Sequence, residues 1–157
     1  MSAGSPDTLV VDASVAAKWH LKDEVYAEQA LHLFNQLIQG EVEVWAPSHI
    51  RSEVSSAITA ATLGRQPRLT PDQGRQAIAM FLALGLHTAD TDTLYLSAYT
   101  LVHEYHCAFY DALYVALARQ LAAPLVTADR PLYQRLRHLP QIVWLGDYPL
   151  SFIPAHE

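Results

Sequence analysis

The chain has 157 residues, 51% of them hydrophobic, enough for one domain to bury a sizeable core and too many for a disordered chain. Sixteen acidic residues against ten basic ones set the formal charge at −6, which excludes nucleic-acid binding by bulk charge but leaves room for a local basic rim. No apolar run reaches the roughly 20 residues of a membrane helix, and the N-terminus lacks an export pattern. The lone Cys107 excludes an internal disulfide and a cysteine-rich zinc site, so a reducing cytoplasm is the expected setting.

Leu9, Val10 and Val11 run straight into Asp12. A short run apolar on both faces reads as a strand buried between layers, the usual state of a central parallel strand. Ala13 to Leu21 is expected to begin a helix, with Ser14 as its N-cap. Tyr26 to Ile38 places Ala27, Ala30, Leu31, Phe34, Leu37 and Ile38 at helical spacing, and Gly40 stops it. Glu41 to Ala46 alternates and reads as a second strand. Pro47 and Ser48 turn the chain into a helix from Ile50 to Leu63, closed by Gly64. Thr70 caps and Pro71 starts a helix running to Leu84. Leu86 to Ala89 is a short strand, and Asp90 or Thr91 caps a helix through Glu104. Phe109 to Leu121 is a further helix, ended by Ala122, Ala123 and Pro124. Leu125 to Ala128 is a buried strand ending at Asp129, Pro131 starts a short helix to Leu136, and Gln141 to Leu145 is a last strand. Strands alternating with helices predict an α/β fold with a mainly parallel central sheet flanked by helices. One domain over 1–157 is expected, with the helix pair of about 50–84 as a projecting clip and a loop tail from about 146.

Four acids fall where the pattern predicts burial. Asp12 and Asp129 both end apolar strands, the edge where open α/β sheets build their sites; helix capping is the ordinary alternative for each. Asp111, in AFYDALYVALA, has Tyr114, Val115 and Ala118 on its own stripe and no basic residue within a turn. A buried carboxylate there needs an arginine or a metal from elsewhere. Glu53, in IRSEVSSAITAA, has small or apolar helical neighbours, and Arg51 points to a different face, so no cheap ion pair accounts for it. Packed together, four carboxylates repel one another unless cations hold them. Oxygen-only donors select hard ions, Mg2+ or Mn2+, and two such ions can serve phosphodiester displacement. His103 and His106 lack the third ligand and the spacing of a zinc site. Glycine-rich phosphate loops and serine nucleophile elbows are absent from the sequence. Tyr95, Tyr99, Tyr105, Tyr110 and Tyr114 read as core and dimer-interface aromatics.

VVDASVAAKW, PSHIRSEVSSAI, FYDALYVALA and LVTADRPL together resemble the PIN-domain ribonucleases, and within them the VapC-type toxins of bacterial toxin–antitoxin modules. The resemblance covers essentially the whole chain, in order. It implies a three-layer α/β/α fold and a Mg2+- or Mn2+-dependent endoribonuclease that leaves a 5′-phosphate and a 3′-hydroxyl. A small antitoxin partner and a homodimer are implied as well. By motif, Asp12, Asp111 and Asp129 would be metal ligands, directly or through water. Glu53 would complete the site, and Thr127 and Ser14 would support it. Lys18, Lys22, Arg130 and Arg135 follow the strand-end acids and are candidate RNA contacts. One departure is Ser56, where the family often has asparagine. The alternatives are a PIN nuclease of RNA maturation and a PIN binding module without chemistry, and the complete acid quartet argues against the latter.

Overall fold

The computed structural model describes residues 4–148. Five strands form one sheet: β1 (Asp7–Val11), β2 (Val42–Pro47), β3 (His87–Ala89), β4 (Leu125–Thr127) and β5 (Ile142–Trp144). Their order is β3-β2-β1-β4-β5, and every neighbouring pair is parallel. Seven α-helices are described: α1 (Ala13–Ala16), α2 (Ala27–Ile38), α3 (Ile50–Ala61), α4 (Pro71–Ala83), α5 (Tyr95–Tyr105), α6 (Phe109–Leu121) and α7 (Arg130–Leu136). From β1 the chain winds outward through β2 to β3, then crosses back to β4 and on to β5. Right-handed crossovers therefore put α1–α4 against one face and α5–α7 against the other. That is the expected three-layer α/β/α arrangement.

Burial follows from this layering. Val10, Val11, Val44, Leu125 and Val126 on the three central strands are fully buried, because helices cover both faces of the sheet. Helix α6 packs on β1, β2 and β4, and its stretch from Ala112 to Ala118 is buried on every side. No helix among the described residues is long and apolar enough to cross a membrane.

Three local expectations change. The first helix does not run to Leu21: it breaks after Ala16 into a 3-10 turn, Ala17–Trp19. The Trp19 indole N–H donates to Ala30 O at 3.0 Å, tying that turn to α2. Nor does Ser14 cap α1. Asp12 does, because its backbone is extended (φ −93°, ψ 175°) while Ser14 already lies inside the helix. The helix expected from Asp90 starts at Tyr95, behind a 3-10 turn over Asp92–Leu94 that buries Leu94. At the other end, Leu145–Asp147 is a 3-10 turn that buries Leu145, and Tyr148 is buried too. The rest of the expected loop tail lies outside the described residues.

The pair expected as a clip is α3 and α4, which pack against each other, while α3 also packs against α1. Thr70 and Gln73 form a reciprocal capping box at the start of α4, with Pro71 at its first turn. The two helices approach so closely at Gly74 that a Cβ there would lie 2.6 Å from Thr62 Cγ2. Thr62 is stiff, since it is β-branched and its hydroxyl donates to Thr59 O at 2.7 Å. Gly74→Ala gains about 1 kcal/mol of helix propensity but meets an overpacking cost of about 1–3 kcal/mol. The expected result in urea unfolding is net loss for Gly74→Ala alone and net gain when Thr62→Ser first removes the methyl. A stabilised single mutant would show that the contact yields freely. The α3–α4 connection is also pinned by Arg68, which donates to both oxygens of Asp23 (2.5 and 3.0 Å) and to Glu24 at 3.0 Å.

Candidate active site

In the sheet register, Val10 pairs with Leu125 and Val11 with Val126, so Asp12 and Thr127 emerge side by side at the carboxyl edge. This is also where the direction of winding reverses, between β1 and β4, the crevice where open α/β sheets bind ligands. Thr127 donates its hydroxyl to Asp12 Oδ2. Ser14 donates to Oδ1 at 2.5 Å, and the Val15 N–H reaches the same oxygen at 3.3 Å. Ser14 Oγ in turn accepts from the Ala128 N–H at 2.9 Å, closing a ring between α1 and β4. Asp12 is buried, and that burial pushes its carboxyl up to about 6. The hydroxyls of Ser14 and Thr127 and the Val15 N–H oppose the rise, while Asp111 adds to it. Capping and site were alternatives for this residue on sequence grounds; it does the first and is placed for the second.

Asp129 repeats the arrangement on β4. It caps α7 by accepting from the Leu132 N–H at 3.1 Å, and its own N–H donates to Thr127 Oγ1 at 3.0 Å. Asp111, in the first turn of α6, is half-buried, and its carboxylate has no hydrogen-bond or ion-pair partner among the described residues. Burial raises it to about 6, helped by the charges of Asp129 and Glu53, with His49 acting against. Asp111 on α6 lies in the fields of Asp129 after β4 and Glu53 on α3, and Asp12 after β1 lies in the field of Asp111, so Asp111 links the four acids.

Glu53 has partners that sequence reasoning missed. Tyr114 on α6 donates its hydroxyl to Glu53 Oε1 at 2.7 Å. His49, one turn before Glu53, brings Nε2 within 3.0 Å of the same oxygen. That approach is out of line for a hydrogen bond, so neither ring nitrogen of His49 has a hydrogen-bonded partner. Burial works to raise Glu53, but the imidazole and the phenol hydroxyl outweigh it and hold the carboxyl below its ordinary range. The i, i+4 partner absent at Arg51 was therefore His49. Tyr114, read as a core or interface aromatic, is core and also a donor.

The four basic candidates separate. Lys18 is mostly buried and paired with Glu24 at 3.2 Å. Arg135 donates to His106 O. Lys22 is exposed without a described ion pair. Arg130, next to Asp129, lays its guanidinium 5.0 Å from the centroid of the Trp144 ring. Stacking by the face leaves its in-plane N–H donors unspent, the geometry suited to a phosphate.

The donor set fits a hard divalent cation in chemistry: four carboxylates, one of them without a hydrogen-bond or ion-pair partner, and no thiol among them, while the His49 imidazole lies against Glu53 Oε1. Among the described residues no three such groups form a ready-made cage. Mg2+ requires none, since it keeps several waters and is held by one or two carboxylates plus substrate phosphate.

A topological switch point lined by these acids defines the class, and the sequence agrees: the family profile described as PIN domain matches residues 9–137, and the chain belongs to that family. Ribonuclease VapC12 of Mycobacterium tuberculosis is 32% identical over 134 residues, covering 85% of this chain and 96% of the relative. Solved structures share the fold. One is VapC20 of M. tuberculosis, described as a sarcin–ricin loop cleaving toxin (TM-score 0.57, 17% identity, 76% of this chain and 87% of that one). Another is VapBC2 of Rickettsia felis bound to a promoter DNA fragment (TM-score 0.58, 15% identity, 87% and 96%). A third is a toxin–antitoxin complex from Klebsiella pneumoniae (TM-score 0.56, 14% identity, 86% and 95%).

Proposed function

We propose that this protein is an endoribonuclease toxin, neutralised by a small antitoxin, that hydrolyses RNA phosphodiesters with Mg2+ or Mn2+. The observation that carries the reading is the convergence of Asp12, Glu53, Asp111 and Asp129 at the switch point of a PIN fold. Asp12, Asp111 and Asp129 would hold the cation, with Glu53 completing the set. When bound, it supplies Lewis acidity at the phosphoryl oxygens and a more acidic water. The chain's own residues do the rest. Ser14 and Thr127 fix Asp12 on rigid backbone. Glu53 keeps Oε2 free to orient the attacking water. Arg130, spread on Trp144, binds a phosphate of the strand. Water adds to phosphorus in line as the 3′-oxygen leaves, giving a 5′-phosphate and a 3′-hydroxyl. An RNA substrate places this reaction in the cytoplasm.

We also infer a homodimer. Its support is an apolar face on α5 and α6, where Leu96, Tyr99 and Tyr110 are 84%, 61% and 63% exposed. Exposed patches of this kind mark interaction surfaces.

The test is cleavage of an RNA oligonucleotide set by the purified protein. Cutting with Mg2+ or Mn2+, 5′-phosphate ends, and loss of cutting in EDTA are expected. Cutting that persists in EDTA, or products with 2′,3′-cyclic phosphate ends, would refute the mechanism.

A further inference from the structure

Glu53 is a long side chain, 38% exposed, in the repulsive field of Asp111. Left alone, such a carboxylate swings toward water and away from its like-charged neighbour. Tyr114 prevents this. It stands three residues after Asp111 on α6, so a single helix turn carries both an acid of the site and the donor that restrains a second acid across the gap to α3. The phenol ring is 1% exposed and immobilised by the core. The His49 ring meets it edge-on, with centroids 5.0 Å apart. Both Tyr114 Oη and His49 Nε2 address Oε1; Oε2 has no described partner.

We propose that Tyr114, backed by His49, is a positioning residue that holds Glu53 by one oxygen, so that Glu53 serves the site through Oε2 alone. The proposal rests on the nuclease reading for its kinetic consequence but not for the restraint itself. Partners that orient carboxylates at metal sites are worth about 10–100-fold in affinity or activity.

Tyr114→Phe removes only the hydroxyl and keeps the ring in the core, which makes it the variant of choice. Three measurements apply. The first is 13C side-chain relaxation of Glu53 in the metal-free protein: ordered in the parent, mobile in Tyr114→Phe. The second is Mn2+ binding by electron paramagnetic resonance, with an affinity loss of about tenfold. The third is RNA cleavage, in which kcat falls about 10–100-fold while KM stays put. A residue that acts through Glu53 adds nothing once Glu53 is gone, so Tyr114→Phe in a Glu53→Ala background should leave cleavage and Mn2+ affinity unchanged. A purely structural tyrosine would cost the same factor in both backgrounds, and that result overturns the proposal. Unchanged order at Glu53 in Tyr114→Phe overturns it too, whether or not the parent protein cuts RNA. Failure of the parent to cut with any divalent metal removes the nuclease reading and leaves the relaxation result to judge the restraint.

Discussion

Asp12→Asn is expected to fold at least as well as the parent and to cut RNA at least about 10^3-fold more slowly, the ~4 kcal/mol scale of losing a principal electrostatic contact in a preorganised site. Asparagine caps a helix as well as aspartate does, and its amide oxygen still accepts from Ser14 Oγ or the Val15 N–H. The charge is removed, and the Thr127 hydroxyl that donates to Oδ2 in the parent turns to accept from the new amide N–H. The check is a single-turnover cleavage assay beside a thermal melt. An inactive variant that melts at or above the parent assigns the loss to chemistry. A variant within tenfold of the parent rate would remove Asp12 from the centre of the site. Growth arrest on expression, relieved by the same substitution, separates a toxin from a housekeeping nuclease.

Asp111→Asn should make the metal-free protein more stable at neutral pH. The sign follows from the raised carboxyls. Asp12 and Asp111 are pushed to about 6 in the fold, against an unfolded value near the ordinary ~3.9. The stability present while they are protonated, below pH ~4, is lost as pH rises through about 6. Above that, each ionised group works against the fold, with about 1–2 kcal/mol for partly solvated Asp111 after allowance for screening. In EDTA, the melting temperature of the parent is expected to fall between pH 4.5 and 7.5, and Asp111→Asn to fall less. Adding Mn2+ at pH 7.5 should restore more stability to the parent than to the variant, since binding stabilises the folded state by mass action. Parallel pH profiles in EDTA would show that Asp111 finds a partner in solution.

The strand-end acids were legible because their signal is local. Three apolar residues followed by a carboxylate mark both Asp12 and the strand that presents it, and in LVTAD a short buried run again leads to an acid, two residues past the strand. Asp111 was legible through its own stripe, where a charge conflicts with seven buried neighbours from Ala112 to Ala118. The Glu53 restraint was not. Tyr114 lies on an apolar face and looks like packing; only the distance to a residue 61 positions away reveals its second use. His49 stands at helical spacing from Glu53 and could have been found, had histidine been weighed along with Arg51. Lys18 looked free because its partner, Glu24, belongs to a loop whose path depends on Arg68. The strand order was equally out of reach, since it depends on crossovers rather than on any one segment.

The pairing of β1 with β4 bears on how such a protein is made. β1 is synthesised long before Leu125 and Val126, and one of its two edges stays unpaired until they arrive. Contacts so distant in sequence form late in folding. Until then Asp12 lacks Thr127, Asp129 does not exist, and the set of four acids is incomplete. On the nuclease reading, a nascent chain therefore cannot act on the RNA of its own ribosome before β4 has emerged. A truncated product ending before residue 125 would be harmless as well.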